Sequence, residues 1–320
     1  MAQPPPQLRL LLCLLLILTL NGCSRQELFD KAMAWERSSA GLTVDQIEVG
    51  ELSISYLHNQ EVKDGPTLVM LHGFGGNKDN WVRMAGELTD QFNVVALDLP
   101  GHGDSSKPLT LGYRLEDQVG YVHDTLAALG ESKVHLLGNS MGGAITALYA
   151  ATYPDQVHSA SLFSPAGVFK YDSELVTRIE EGQNPLIVSQ PGDMERLVAF
   201  VMSDQPFVPW PIYDVMEQQA IANRPVYEKI FLAIRDSGYD NAFRDRLADI
   251  QAPVMLVWGR EDRVIDYRNA EVFQQRINTT VTHLLDDIGH VPMIETPDHS
   301  AELVRAFINA PPAAGATVIR

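Results

Sequence analysis

The sequence predicts an α/β fold: a mostly parallel central sheet flanked by helices, with a helical cap inserted late in the chain. Three observations carry that prediction. Continuous apolar runs recur at Leu68–Leu71, Val94–Leu97, Val134–Leu137, Ala160–Phe163, Val254–Trp258 and Val281–Leu285. Runs without polar alternation suit strands buried on both faces, as in a parallel sheet covered by helices. Helix-compatible segments, notably Leu115–Leu129 and Met141–Thr152, separate most of them, so strand, helix and strand follow one another in right-handed crossovers. One interval breaks the rhythm: about ninety residues lie between Phe163 and Val254, far more than a crossover needs.

Leu10–Leu20 is an apolar run preceded by Arg9 and followed by Asn21, Gly22 and Cys23. At ~1.5 Å per residue it reaches about half of a ~30 Å hydrocarbon layer, which is signal-peptide length rather than a span. Leu20-Asn21-Gly22-Cys23 resembles the bacterial lipobox, in which a cysteine is acylated and becomes the mature N-terminus. That resemblance implies a signal peptide over 1–22 and lipid on Cys23, and Ser24 after the cysteine favours the outer membrane. The alternative is an ordinary cleaved signal with Cys23 incidental. Each buried acyl methylene contributes ~0.8 kcal/mol, so a multiply acylated Cys23 holds the protein firmly at a surface. The other of the 2 cysteines, Cys13, leaves with the signal, so no thiol remains for a disulfide or a Cys-based metal site.

Residues 23–44 mix Leu28, Phe29, Ala32, Met33 and Trp35 with charges, as expected of a short helix that spaces the anchor from the body; a helix lying on the membrane is the alternative. Ile47–Leu57 alternates around Gly50-Glu51 like a hairpin. The core is then expected over 45–164 and 250–310, with the cap over 165–249. Inside the cap, Pro206, Pro209 and Pro211 flank Phe207, Val208 and Trp210, a patch read as packing of cap on core rather than as substrate contact. The Ala/Pro-rich segment 311–320 is expected to be a flexible tail. With 45% hydrophobic and 20% charged residues, the 320-residue chain is neither disordered nor a multi-span membrane protein. Its formal charge of −17 opposes phosphate backbones and argues against nucleic acid as a partner.

The chemistry falls on loops after the strands. Gly138-Asn139-Ser140-Met141-Gly142-Gly143 follows the Val134–Leu137 run and opens a helix. There a serine between small residues occupies a sharp turn that exposes its Oγ. A serine hydroxyl needs a base, and the base an orienting carboxylate. His290, in Gly289-His290-Val291-Pro292, has the best context for the base. His123, His135, His158 and His283 fall inside helices or strands, and His58 and His299 at surface positions. For the acid, Asp262 follows the Val254–Trp258 strand, with Glu261 and Asp266 as rivals; the Ala160–Phe163 strand runs into Ser164-Pro165-Ala166-Gly167, which has no carboxylate. Oxyanion donors are expected from the Met141 N–H and, in His72-Gly73-Phe74-Gly75-Gly76, the Phe74 N–H. His72 is read as a structural hydrogen-bonder.

His72-Gly73-Phe74-Gly75, Asp98-Leu99-Pro100-Gly101-His102-Gly103-Asp104-Ser105, Gly138–Gly143 and Gly289-His290, in this order, resemble an α/β-hydrolase with a cap, over roughly 47–307. The order Ser140, Asp262, His290 is the one that resemblance implies. Phe74–Trp81 together with the serine elbow is similar to bacterial lipases and monoacylglycerol lipases. Asp98–Ser105 is expected to be an architectural turn. Ser140 at the elbow argues against dehalogenase or epoxide-hydrolase chemistry, which uses aspartate there. The expectation is a serine hydrolase acting on small-molecule or lipid carboxylic esters, needing no metal or organic cofactor and held at a membrane by the anchor. Carbon–carbon bond hydrolysis on the same fold is the alternative enzyme, and a non-catalytic lipoprotein binding module the alternative class.

Overall fold

Buried apolar runs become strands because each can hide both faces of its backbone beneath helices. In the computed structural model, residues 24–319 apart from 207, 209, 210, 239 and 240 are described. The expected signal peptide over 1–22 and the expected lipidation site Cys23, and Phe207, Pro209 and Trp210 of the proline-rich patch, lie outside the described residues. The strands are β1 (Leu42–Val49), β2 (Leu52–Asn59), β3 (Thr67–Leu71), β4 (Asn93–Leu97), β5 (Val134–Asn139), β6 (Val157–Phe163), β7 (Val254–Gly259), β8 (Thr280–Leu285) and β9 (Thr317–Ile319). They pair in the order β1-β2-β4-β3-β5-β6-β7-β8-β9. β2 is antiparallel to both β1 and β4, and every other pair is parallel.

Helices α1 (Arg25–Ser39), α2 (Val82–Gly86), α3 (Leu115–Leu129) and α4 (Met141–Thr152) precede β6 or lead into it. Between β6 and β7 come α5 (Glu174–Glu180), α6 (Asp193–Val201), α7 (Ile212–Gly238) and α8 (Asn241–Arg246), and then α9 (Ala270–Arg276), α10 (Pro292–Glu295) and α11 (Pro297–Asn309) complete the chain. Alternation along the strands divides the core into two layers. Val69, Leu71, Leu136, Leu162 and Leu256 face one side with Val119, Val122 and Leu126 of α3 and Ile145 and Leu148 of α4. Leu68, Met70, Leu137, Phe163, Met255 and Val257 face the other with Met84 of α2 and Val304 and Phe307 of α11. Each such buried side chain contributes ~1.5–3 kcal/mol relative to exposure.

Two expectations need correction. The 23–44 segment does not merely space the body from its start: Leu42–Val44 already belong to β1, and α1 docks on the molecule. Ser24 caps α1 in a reciprocal box with Glu27, and Phe29, Met33 and Arg37 turn inward while Leu28 and Trp35 stay exposed. The segment after Ala310 is not simply a flexible tail, because Thr317–Ile319 adds a parallel edge strand on β8. Its strand is three residues long, too short for periodicity to announce it.

The site's location follows from topology. The chain leaves β3 for β4 on one side and returns to β5 on the other, so the loops after β3 and β5 diverge around a crevice at the carboxyl ends of the strands.

Candidate active site

Ser140 sits where β5 must turn abruptly into α4. Its φ of 53° and ψ of −116° place a non-glycine residue in a strained region that costs on the order of 1–3 kcal/mol. Close packing of the neighbours holds it there. A methyl group at Gly142 would lie 2.1 Å from the Leu71 carbonyl oxygen, and one at Gly138 would lie 2.1 Å from the Gly142 carbonyl oxygen. Backbone bonds brace the turn: the Ser140 N–H donates to the Phe163 carbonyl at 3.0 Å and the Ser140 carbonyl accepts from Ala166 N–H at 3.0 Å.

The loop after β3 lies directly against this elbow. A Cβ on Gly73 would approach the Ser140 Cβ to 3.2 Å. His72 holds the loop from beneath: its Nδ1–H donates to the Gly73 carbonyl at 2.7 Å and its Nε2 accepts the Leu99 N–H at 3.0 Å. Burial lowers the His72 pKa, which keeps this neutral tautomer. The Phe74 ring packs edge-on against His102 of the core and Tyr227 and Phe231 of α7. Met141 opens α4, so its N–H has no acceptor within the helix.

Asp262 and His290 meet across the loops after β7 and β8. His290 Nδ1–H donates to Asp262 Oδ2 at 2.8 Å, and Trp258 Nε1–H donates to the same oxygen at 3.0 Å. Asp262 Oδ1 accepts from the N–H groups of Val264 and Ile265 at 2.8 and 2.9 Å. The carboxylate is therefore buried with every oxygen bonded, as a buried charge requires. Of its rivals, Glu261 is exposed and Asp266 is engaged by Arg268. The His290 backbone is tied to the elbow, since Asn139 Nδ2 donates to the His290 carbonyl at 3.0 Å. His123, His135, His158 and His283 do fall inside α3, β5, β6 and β8; His58 lies half-buried in β2 rather than on an open surface.

Sequence reasoning missed a buried charge network beside the site. Lys78 Nζ donates to Asp98 Oδ2 and to Asp104 Oδ2, both at 2.7 Å, while the Lys78 N–H donates to Asp98 Oδ1 at 2.7 Å. Burial pulls the Lys78 pKa down, but the charge of Asp98 and the bonds to Asp104 and Asp98 outweigh it, so the net shift is upward. Arg37 of α1 makes a two-pronged pair with Asp79, Nε to Oδ1 and Nη2 to Oδ2, each at 2.6 Å. Neither pairing has a local sequence signal, because the partners are separated along the chain.

A cavity of about 690 Å³ opens over the loop after β3. Its apolar wall includes Phe29, Met33, Met194, Val198, Met202, Ile212, Met216, Met293 and Ile294, and its polar rim includes Arg37, Asn77, Asp79 and Asp104. Neither Ser140 nor His290 is among the described residues that line it, whereas Gly75 of the loop after β3 and Met293, in the short helix after His290, are. Among the described residues no group of three or more His, Cys, Asp or Glu is placed to hold a metal, and no helix is long and apolar enough to cross a membrane.

Residues 66–203 match the alpha/beta hydrolase fold family. Lipase 3 of Moraxella sp. (strain TA144) is 34% identical over 312 residues, covering 93% of this chain and 97% of its own. Monoacylglycerol lipase abhd6-B of Xenopus laevis is 30% identical, covering 86% of this chain and 85% of its own. Among solved structures, a membrane phospholipase A reported as a bacterial virulence factor superposes with a TM-score of 0.87 at 40% identity, covering 94% of this chain and 98% of its own. The chain belongs to the α/β-hydrolase family and is an ester hydrolase.

Proposed function

We propose that the protein is a membrane-anchored lipolytic serine esterase that cleaves acyl esters through an acyl-enzyme. The observation that carries this reading is the bonded Asp262–His290 pair tied through Asn139 to the strained Ser140 elbow. With Nδ1–H donated to Asp262, His290 Nε2 keeps a lone pair to take the Ser140 proton. Ser140 Oγ then adds to the ester carbonyl, and the Phe74 and Met141 amides receive the oxyanion. Collapse breaks the bond to the alcohol, which leaves with the proton from His290. Water, deprotonated by His290, adds to the acyl-enzyme and releases the acid.

The substrate class is drawn from the cavity. An apolar wall rich in methionine with a polar rim suits an amphiphile whose acyl chain is buried and whose head stays wet. Anchoring at Cys23 in the outer membrane, after removal of residues 1–22, puts the enzyme beside such substrates. Leu28 and Trp35 on the outer face of α1, 45% and 71% exposed, are consistent with a helix that rests near lipid.

The deciding experiment is a p-nitrophenyl ester series from acetyl to palmitoyl with the wild type and Ser140→Ala. Medium or long chains should exceed acetyl in kcat/KM, and Ser140→Ala should abolish turnover while remaining folded. Retained hydrolysis in Ser140→Ala removes the mechanism, and a preference for acetyl removes the lipolytic assignment. Cys23→Ser should leave the membrane fraction; an unchanged distribution refutes lipid anchoring.

A further inference from the structure

The loop that carries the Phe74 amide has two tethers of different kinds. Locally it is a chain of short bonds: Gly76 N–H donates to the Gly73 carbonyl at 3.1 Å, Asn77 N–H to Asn80 Oδ1 at 3.0 Å, and Asp79 N–H to Asn77 Oδ1 at 2.9 Å. Gly73 to Asn80 therefore moves as one piece, and its position depends on what holds its far end. One hold is Lys78 on Asp98, inside the core. The other is Asp79 on Arg37, and Arg37 belongs to α1, a helix that precedes the sheet and carries none of the motifs read in the sequence.

That second hold is built to position rather than merely to decorate a surface. It is two-pronged at 2.6 Å on both contacts, and the Arg37 and Asp79 side chains are only 20% and 12% exposed. Bidentate guanidinium–carboxylate pairs fix direction as well as distance. The α1 pairs of Arg25 with Asp214 and of Glu36 with Arg83 are more exposed. The helix so latched also lines the cavity, to which Phe29, Met33 and Arg37 of α1 contribute together with Met194 and Met216.

We infer that α1 is a working part of the active site, with Arg37 a positioning residue that sets the oxyanion loop through Asp79. The inference rests on the serine-esterase reading with Phe74 as an oxyanion donor. A displaced donor weakens transition-state binding without touching the ground state, so the defect belongs in kcat. A short substrate isolates it, because an acetyl group is too small to span the cavity to Phe29 and Met33.

The experiment compares full-length wild type, Arg37→Gln, Asp79→Asn, Arg37→Lys and the exchange variant Arg37→Asp/Asp79→Arg on p-nitrophenyl acetate, with thermal unfolding followed in parallel. Arg37→Gln and Asp79→Asn should each lose kcat on the order of tenfold, with KM essentially unchanged. Arg37→Lys, which keeps charge but not the fork, should fall between them and wild type, and the exchange variant should recover most of the loss. Wild-type kcat in both single variants overturns the inference. So does a loss that neither Arg37→Lys nor the exchange recovers, or one expressed only in KM. If the wild type itself fails to hydrolyse any ester, or Ser140→Ala remains active, the serine-esterase reading fails instead, which separates the two.

Discussion

Trp258 of β7 and His290 of the loop after β8 donate to one and the same oxygen, Asp262 Oδ2. The indole is fully buried in the core, so this bond is out of reach of water and holds the carboxylate in the plane the imidazole needs. Trp258→Phe removes that donor while preserving most of the packing. A hydrogen bond to a charged group is worth ~1.5–3 kcal/mol, and the part of it that orients Asp262 should appear as a kcat loss of about tenfold with KM unchanged. Asp262→Asn should cost far more, ~10³-fold or greater, because the amide stabilises the wrong imidazole tautomer. Steady-state kinetics on a medium-chain ester checks both; wild-type kcat in Trp258→Phe would show the indole to be a packing group alone.

The elbow admits no side chain at Gly142. Its missing Cβ would fall 2.1 Å from the Leu71 carbonyl and 2.5 Å from that of His72, both backbone atoms that cannot swing aside. Gly142→Ala must push α4 away from β3 or unwind its first turn, which moves the Met141 N–H and Ser140 together. Activity should fall below detection and Tm should drop, whereas Gly120→Ala, where a Cβ meets nothing within 4 Å, should leave both intact. Differential scanning fluorimetry and an ester assay on the pair read the contrast.

Much of the sheet was legible because its strands are the simplest pattern a sequence can hold. Leu68–Leu71 or Val254–Trp258 can only be buried on both faces, and each is a central strand. The sharp turn at Ser140 was legible because small residues flank it, although only the contacts at Gly138 are local and those that demand glycine at 142 come from Leu71 and His72 at the end of β3. The role of α1 was not legible. Phe29, Met33 and Arg37 at spacings of four mark an inward face, but nothing local says whether that face meets solvent, lipid or a cavity wall. Lys78 was hidden likewise, since its burial depends on Asp98, twenty residues on and in another loop. Thr317–Ile319 became a strand only because β8 offered a free edge.

The Lys78–Asp98 pair makes a prediction about stability. Lys78→Met fills similar space but leaves the wholly buried Asp98 as an uncompensated charge. Removing one partner of a buried pair typically costs ~3–5 kcal/mol. Asp104 adds little to this, since its carboxylate is 64% exposed and returns to water. Lys78→Met/Asp98→Asn removes the charge and keeps one acceptor oxygen, enough for either the residue-78 N–H that Asp98 Oδ1 receives or the Asp104 N–H that Oδ2 receives, so it should recover part of the loss. Urea unfolding of the three proteins measures it, and a double variant no more stable than the single would show that the cost lies elsewhere.

Stability should also fall in acid, and His135 gives the window. Its Nδ1 bonds Ser159 Oγ at 2.7 Å, and its ring stacks on His158 with centroids 5.1 Å apart. Burial first, and the neighbouring His158 second, push its pKa down to about 4. In the unfolded chain an imidazole takes its proton near ~6.5. Between those values the unfolded state binds the extra proton, so stability rises with pH. The contribution of His135 is complete above the unfolded value and is lost as the pH falls towards about 4. Burial lowers His72 and His102 as well, so they act in the same direction. Because His135 keeps partial contact with solvent, its share should be only about 1–2 kcal/mol. His135→Gln should therefore flatten, without abolishing, the decline in urea midpoint between neutral and mildly acidic buffer. A variant whose midpoint falls as steeply as wild type over that interval would exclude His135 as a source of the acid sensitivity.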